Sequence, residues 1–278
     1  MMEGIRYGIA LGMGFDESIE EQIGIAAQAG YQSIASNWMD GADVAAWGRI
    51  ARDNGLEYNY LHAPFTEMHT LWEAGDAGDS YTDMLIRGLD ACVAVGTSNY
   101  VCHVIIGMDR HSPSEIALPR LLRLLDEATA RNIQIAFENT EGLEYLEMVM
   151  KAFAGHPSCR FCWDTGHELC YNHGQDVMAL FGDRLTVTHL NDNFAMTDPT
   201  VMTWLDDSHL MPGDGIADWT GIVRRLNAHN FKGIYNLELT RTSRPKRDTH
   251  AKYASMSCLE FMQEALASMK RFVQQETY

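Results

Sequence analysis

Short apolar runs alternate with helix-spaced amphipathic stretches from one end of this chain to the other, and there are eight such pairs. The runs are residues 5–12, 31–37, 57–65, 100–107, 133–139, 159–164, 185–192 and 233–240. Most are too continuously apolar to leave one face in water, the pattern of strands buried on both faces of a parallel sheet. Between them, helices are expected from Asp16 to a stop at Gly30, over 42–55 ending at Gly55, near 80–95, and over 112–132. Further helices are expected over 142–153, near Asp176–Phe181, over 218–230 and roughly 252–274. The fourth opens on Ser-Pro-Ser-Glu, and Pro119 inside it predicts an early start or a kink. Strand and helix alternating in this way need a parallel sheet with crossover helices. Eight units in 278 residues, with no Gly/Ser linker, predict an α/β fold: one closed (β/α)8 barrel domain over 1–278. An open doubly wound sheet would show a glycine-rich turn after its first strand, and GMGFDE lacks the third glycine.

Glu138, Asp164, His189 and Glu238 fall at the ends of the last four runs, 26, 25 and 49 residues apart. In a closed barrel, residues at such places emerge at the C-terminal mouth, where barrels carry their chemistry. Three carboxylates and an imidazole converging there make a divalent metal site: Mn²⁺, Mg²⁺ or Co²⁺ by the hard oxygens, Zn²⁺ by the imidazole. His62, His103 and His167 lie at or just beyond other strand ends, and Asp207 and His209 lie in the long loop 193–218. The turn Thr165-Gly166 brings His167 beside Asp164, while PGDG (212–215) reads as a simple turn. Trp38, Phe65, Trp72, Trp163 and Trp204 sit near strand ends or loops and are candidates to wall a sugar or to pack the core.

Net charge is −17, which sets the global field against nucleic acid. Cys159 and Cys162 form a lone CxxC inside an apolar run, where residues three apart face opposite ways, so all six cysteines read as reduced and mostly buried. No run approaches the ~20 apolar residues of a membrane span, and the N-terminal stretch lacks a signal-peptide pattern. A cytoplasmic protein is expected.

The segments FENTEG, WDTGH, THLND, HLMPGDG followed by ADW, and LEL resemble the xylose isomerase-like TIM barrels, over nearly all of residues 5–272. That family holds sugar (phosphate) isomerases and epimerases and an apurinic endonuclease branch. The resemblance implies one divalent ion on Glu138, Asp164, His189 and Glu238. It makes Glu138 and Glu238 the acid/base pair that moves a proton through an enediolate. It assigns substrate contacts to His167 and Glu144, and His62, His103 and His209 are further substrate-binding candidates. One departure is that epimerase relatives carry an arginine soon after the residue matching His189, where this chain has HLNDNFAMTDP. Arg241, Arg244, Lys246 and Arg247 are candidates to supply that charge to a phosphate- or carboxylate-bearing substrate.

The endonuclease branch implies nine ligands to three zinc ions. Residues of the right type stand at all nine places, adding His62, His103, His167, Asp207 and His209 to the first four. Against DNA repair stand the acidity, the segment ELCYNHGQD after His167, and a strand-seven loop without that branch's basic contacts. The function expected is a metal-dependent isomerase or epimerase of a small carbohydrate. The alternatives are a multinuclear zinc hydrolase or phosphoesterase, and a binding protein that has lost catalysis. Relatives imply a homo-oligomer.

Overall fold

The computed structural model describes residues 4–109 and 112–276, so the ends of the expected 1–278 domain lie outside the described residues. Eight parallel strands run β1 (Tyr7–Ala10), β2 (Ser33–Asn37), β3 (Glu57–His62), β4 (Asn99–Cys102), β5 (Gln134–Glu138), β6 (Cys159–Asp164), β7 (Leu185–His189) and β8 (Tyr235–Leu237). β1 to β7 pair in sequence order, and β8 pairs with β1. The seam between β7 and β8 closes differently. Leu190 N donates to Asn236 O and Glu238 N to Leu190 O, while the Thr188 hydroxyl donates to Ile234 O and accepts from Asn236 N. A side chain thus carries part of the ladder there.

Around this sheet lie α1 (Ile19–Ala29), α2 (Val44–Asp53), α3 (Asp76–Val95), α4 (Ala117–Ala130), α5 (Leu143–Ala152), α6 (Thr165–Cys170), α7 (Val177–Phe181), α8 (Trp219–Ala228) and α9 (Cys258–Gln275). α1 starts at an N-cap Ser18 whose capping box uses Glu21, and it stops at Gly30 in the left-handed region (φ 96°). The chain departs from the sequence expectation at several elements. α3 begins earlier than residue 80, after a 3₁₀ turn over Met68–Trp72. α4 begins later than Ser112, which leaves Pro119 in its first turn, where its missing N–H has no helical partner to lose and no kink is needed. β4 stops at Cys102 and β8 at Leu237, both short of the apolar runs that mark them, because the chain bends into loops at the mouth. The six-residue α6, too short to show a helical period, follows β6 directly.

Apolar residues on the outer faces of the strands and the inner faces of the helices form the main core. A separate small layer fills the barrel itself: Ala35, Tyr60, Val101, Ala136, Cys162 and Val187. Tyr60 accepts a hydrogen bond from Asn236 Nδ2 at 3.2 Å and so ties that layer to β8. Cys159 packs in the outer core and Cys162 in the inner layer, as their odd spacing on one strand requires. All six cysteines are buried and free.

Candidate metal and substrate site at the barrel mouth

Side chains on a strand alternate, so the residue two places beyond an inward one is also inward, one layer nearer the mouth. Two beyond Tyr60, Val101, Ala136, Cys162, Val187 and Asn236 stand His62, His103, Glu138, Asp164, His189 and Glu238. The polar layer therefore sits on the apolar one by strand geometry alone. Ligand atoms of Glu138, Asp164, His189 and Glu238 all lie within 4.8 Å of one another. The set His62, His103 and Glu138, and the set Asp164, His167 and His209, meet the same limit.

Glu138 is at the centre. Its Oε1 lies 3.1 Å from both His167 Nδ1 and His189 Nδ1, and its Oε2 lies 3.3 Å from His62 Nε2 and 3.4 Å from His103 Nε2. His189 Nδ1 is also 3.1 Å from Glu238 Oε2. Asp207 Oδ1 lies 3.0 Å from His209 Nε2 and 3.5 Å from His167 Nε2. Glu138 is almost fully buried, whereas the Glu238 side chain keeps 22% of its surface open to the mouth. Burial would raise Glu138, but the charges on His189 and His103 hold it well below the usual carboxylate range. Burial likewise opposes ionisation of Glu238, and His189 outweighs it, bringing that carboxyl down to about 2. For Asp164 burial wins and pushes it up to about 6 against His167 and His209. Burial disfavours the His209 cation, yet Asp207 raises it to about 9.

Neighbouring groups fix how these ligand atoms point. His62 Nδ1 bonds Ala63 O at 2.7 Å, His167 Nδ1 bonds Asn139 O at 3.0 Å and His209 Nδ1 bonds Glu238 O at 3.0 Å. A ring whose Nδ1–H donates to a carbonyl presents the lone pair of Nε2, the tautomer in which metal-ligating histidines are held. For His62, His167 and His209 that lone pair faces a carboxylate. Two lone pairs at such distances repel unless a proton or a cation lies between them. The donor set, oxygen-rich with imidazole, fits a divalent ion, and buried carboxylates at this density need positive charge. The residues present therefore fit a metal.

Asparagines and a glycine complete the frame. Asn139 Oδ1 accepts from Asp164 N and its Nδ2 donates to Asp164 O, extending the β5–β6 ladder through a side chain. Asn191 Nδ2 donates to both Asp164 oxygens at 3.2 and 3.0 Å. A Cβ on Gly166 would stand 2.0 Å from Asn191 Oδ1, so the WDTGH turn admits no larger residue. Asp164 also caps α6, accepting from His167 N at 2.7 Å. Asp207 and His209 arrive on the long loop, which is pinned by the segment after β8: Arg244 bonds Asp207, Arg247 bonds Asp206, and His250 Nε2 donates to Ser208 O.

A cavity of about 400 Å³ opens above these groups, with His103, His167, Asp207 and Arg244 in its lining. Phe65 and Trp204 line it as well, while Trp38, Trp72 and Trp163 are buried. Arg244 is the member of the basic segment that reaches it; Arg241 lies over Phe15 instead, 4.8 Å from the ring centroid. Glu144, the expected substrate contact, is exposed in the first turn of α5. Glu141, three residues earlier, is buried and lines the cavity, accepting from Gly107 N at 2.6 Å. Its place in FENTEG, before the helix begins, is the signal that separates it from Glu144. Asp214 sits in a turn, as PGDG suggests, bonded by the Tyr253 hydroxyl at 2.5 Å.

Three comparisons bear on this geometry. A family model described as a xylose isomerase-like TIM barrel matches residues 23–262. The uncharacterized protein y4fM of Sinorhizobium fredii (strain NBRC 101917 / NGR234) is 28% identical over 269 residues, covering 81% of this chain and 82% of that one. Among solved structures, D-psicose 3-epimerase with D-tagatose from Clostridium cellulolyticum H10 superposes with a TM-score of 0.76 at 14% identity, covering 97% of this chain and 99% of its own. A xylose isomerase-like TIM barrel/4-hydroxyphenylpyruvate dioxygenase fusion protein also reaches 0.76, at 18% identity over 98% of this chain. The present chain spans 43% of that fusion's length.

Proposed function

We propose, since the chain belongs to the xylose isomerase-like TIM-barrel family, that it is a divalent-metal-dependent isomerase or epimerase of a small hydroxy-carbonyl compound of the carbohydrate class, working as a single barrel domain. The observation that carries this is the convergence of Glu138, Asp164, His189 and Glu238 from four successive strand ends to within 4.8 Å. The superposition on a ketose 3-epimerase agrees with it.

In this reading those four residues hold the ion. When bound, the ion polarises a carbonyl and its neighbouring hydroxyl, making the adjacent C–H acidic. Glu238, the more open carboxylate, takes the proton from that carbon, and Glu138 holds or returns one on the other side. The neighbouring histidine charges hold both carboxyls ionised, so each begins without a proton and donates only one it has first gained. His167, held by Asn139 O and Asp207, orients substrate oxygens, and the cavity wall excludes water.

Elemental analysis and turnover, measured together on the wild type and Glu138→Gln, test the proposal. About one Mn, Co, Mg or Zn per wild-type chain is expected, and a loss of about 10²–10⁴ in turnover for the variant. Full activity in the variant would remove Glu138 from the mechanism. A second reading, a multinuclear zinc hydrolase, is favoured by one feature: two further histidine-bearing groups adjoin the first and share Glu138 or Asp164 with it. Two or three zinc ions per chain would move phosphoester hydrolysis to the front. No described helix is long and apolar enough to cross a membrane.

A further inference from the structure

The cavity above the site has two unlike surfaces. Its floor is polar, with His103, His167 and Asp207. Its wall is apolar and comes from four separate loops: Phe65 after β3, Ile106 and Met108 after β4, Tyr171 after α6, and Trp204 between β7 and α8. The Phe65 ring stacks on His103 with centroids 4.4 Å apart, so the apolar wall starts directly against the floor. Trp204 keeps 50% of its surface exposed at the rim.

Arg244 and Glu141 also line it, and one edge of the Arg244 guanidinium is already engaged. Its Nε donates to Asp207 O at 2.6 Å and its Nη2 to Asp207 Oδ2 at 2.9 Å. Arg247 is engaged by Asp206 at 2.7 Å. Both arginines thus pair with aspartates of the preceding loop, Asp207 and Asp206. A hydroxyl set against Phe65, Ile106 or Met108 gives up water and gains no partner from those side chains. An apolar ring placed there loses water from both surfaces and fits.

We propose that the substrate has two ends: a hydroxy-carbonyl head on the polar floor, and a ring-sized apolar group against the Phe65–Met108–Trp204 wall. This deepens the isomerase or epimerase reading and rests on it.

Calorimetric titration of the Mn²⁺-loaded full chain with three compounds tests it: hydroxyacetone, 1-hydroxy-4-phenylbutan-2-one and D-tagatose. The phenyl compound is expected to bind at least about tenfold more tightly than either of the others. Trp204→Ala is expected to lose about tenfold for the phenyl compound and nothing for hydroxyacetone, with unchanged metal content. Val201→Ala, exposed on the same loop and outside the cavity lining, serves as control and should alter neither. Tighter binding of D-tagatose than of the phenyl compound overturns the proposal, as does equal weakening of both ligands by Trp204→Ala. Hydroxyacetone bound with no gain from the phenyl group overturns it while leaving the isomerase reading standing. No binding of any of the three to the loaded protein overturns both.

Discussion

Asp192 collects four hydrogen bonds on one buried carboxylate: Asn193 N and Ala217 N on Oδ1, Gly213 N and the Trp219 indole on Oδ2. It touches none of the candidate ligands, yet it fixes both ends of the loop that delivers Asp207 and His209. Asp192→Ala leaves those donors buried without a partner, and a loss of at least about 3 kcal/mol is expected. Denaturant unfolding measures it; a change under 1 kcal/mol would show that water replaces the carboxylate. At this scale the residues that cluster at the mouth were legible and their supports were not. Glu138, Asp164, His189 and Glu238 stand out because a charged or imidazole group ends an apolar run. Asp192, Asn139 and Asn191 act through partners far away in sequence, which no local pattern announces. Glu144 and Glu141 differ only in which side of a helix start they fall, and boundaries are the least determined feature of a sequence.

The loop after β8 and the loop after β7 act as one element, joined by Arg244, Arg247 and His250. His250 is buried, its Nε2–H donated to Ser208 O, and burial brings it from 6.5 down to about 4, with the charges of Arg244 and His209 adding to the shift against Ser208 O and Asp214. A depressed histidine binds fewer protons folded than unfolded. Its contribution is therefore complete above about pH 6.5 and lost as pH falls toward 4. Melting temperature should drop across that window, and His250→Gln should flatten the drop; parallel profiles would place the acid sensitivity elsewhere. The strands and the longer helices were readable because burial on both faces and amphipathic spacing are local signatures. The six residues of α6 span less than two turns and offer no period to detect, and α4 starts where the chain clears the mouth rather than where Ser112 invites a cap.

For the molecule as a whole, the acidic groups at the mouth are a cost that the proposed cation would offset. An ion held at 100 times its Kd adds about 2.7 kcal/mol, or roughly 5 °C for a chain of this size. Chelation should lower the melting temperature by that order and readdition should restore it. An unchanged melt, with metal shown to be removed, would mean that protons on the histidines satisfy the carboxylates equally well. The closed barrel was legible from the count of eight units, because only closure spares a parallel sheet two bare edges.

The hydroxyl-stitched seam between β7 and β8 has a consequence in time as well as in space. Glu238 rides on the last strand to be synthesised, and that strand has no place until both β1 and β7 are there to receive it. A chain growing from its N-terminus can gather Glu138, Asp164 and His189 first, but the fourth member of the cluster joins only at the final insertion. The cluster is complete only with the last step of assembly, so a truncated or stalled chain lacks one of its carboxylates.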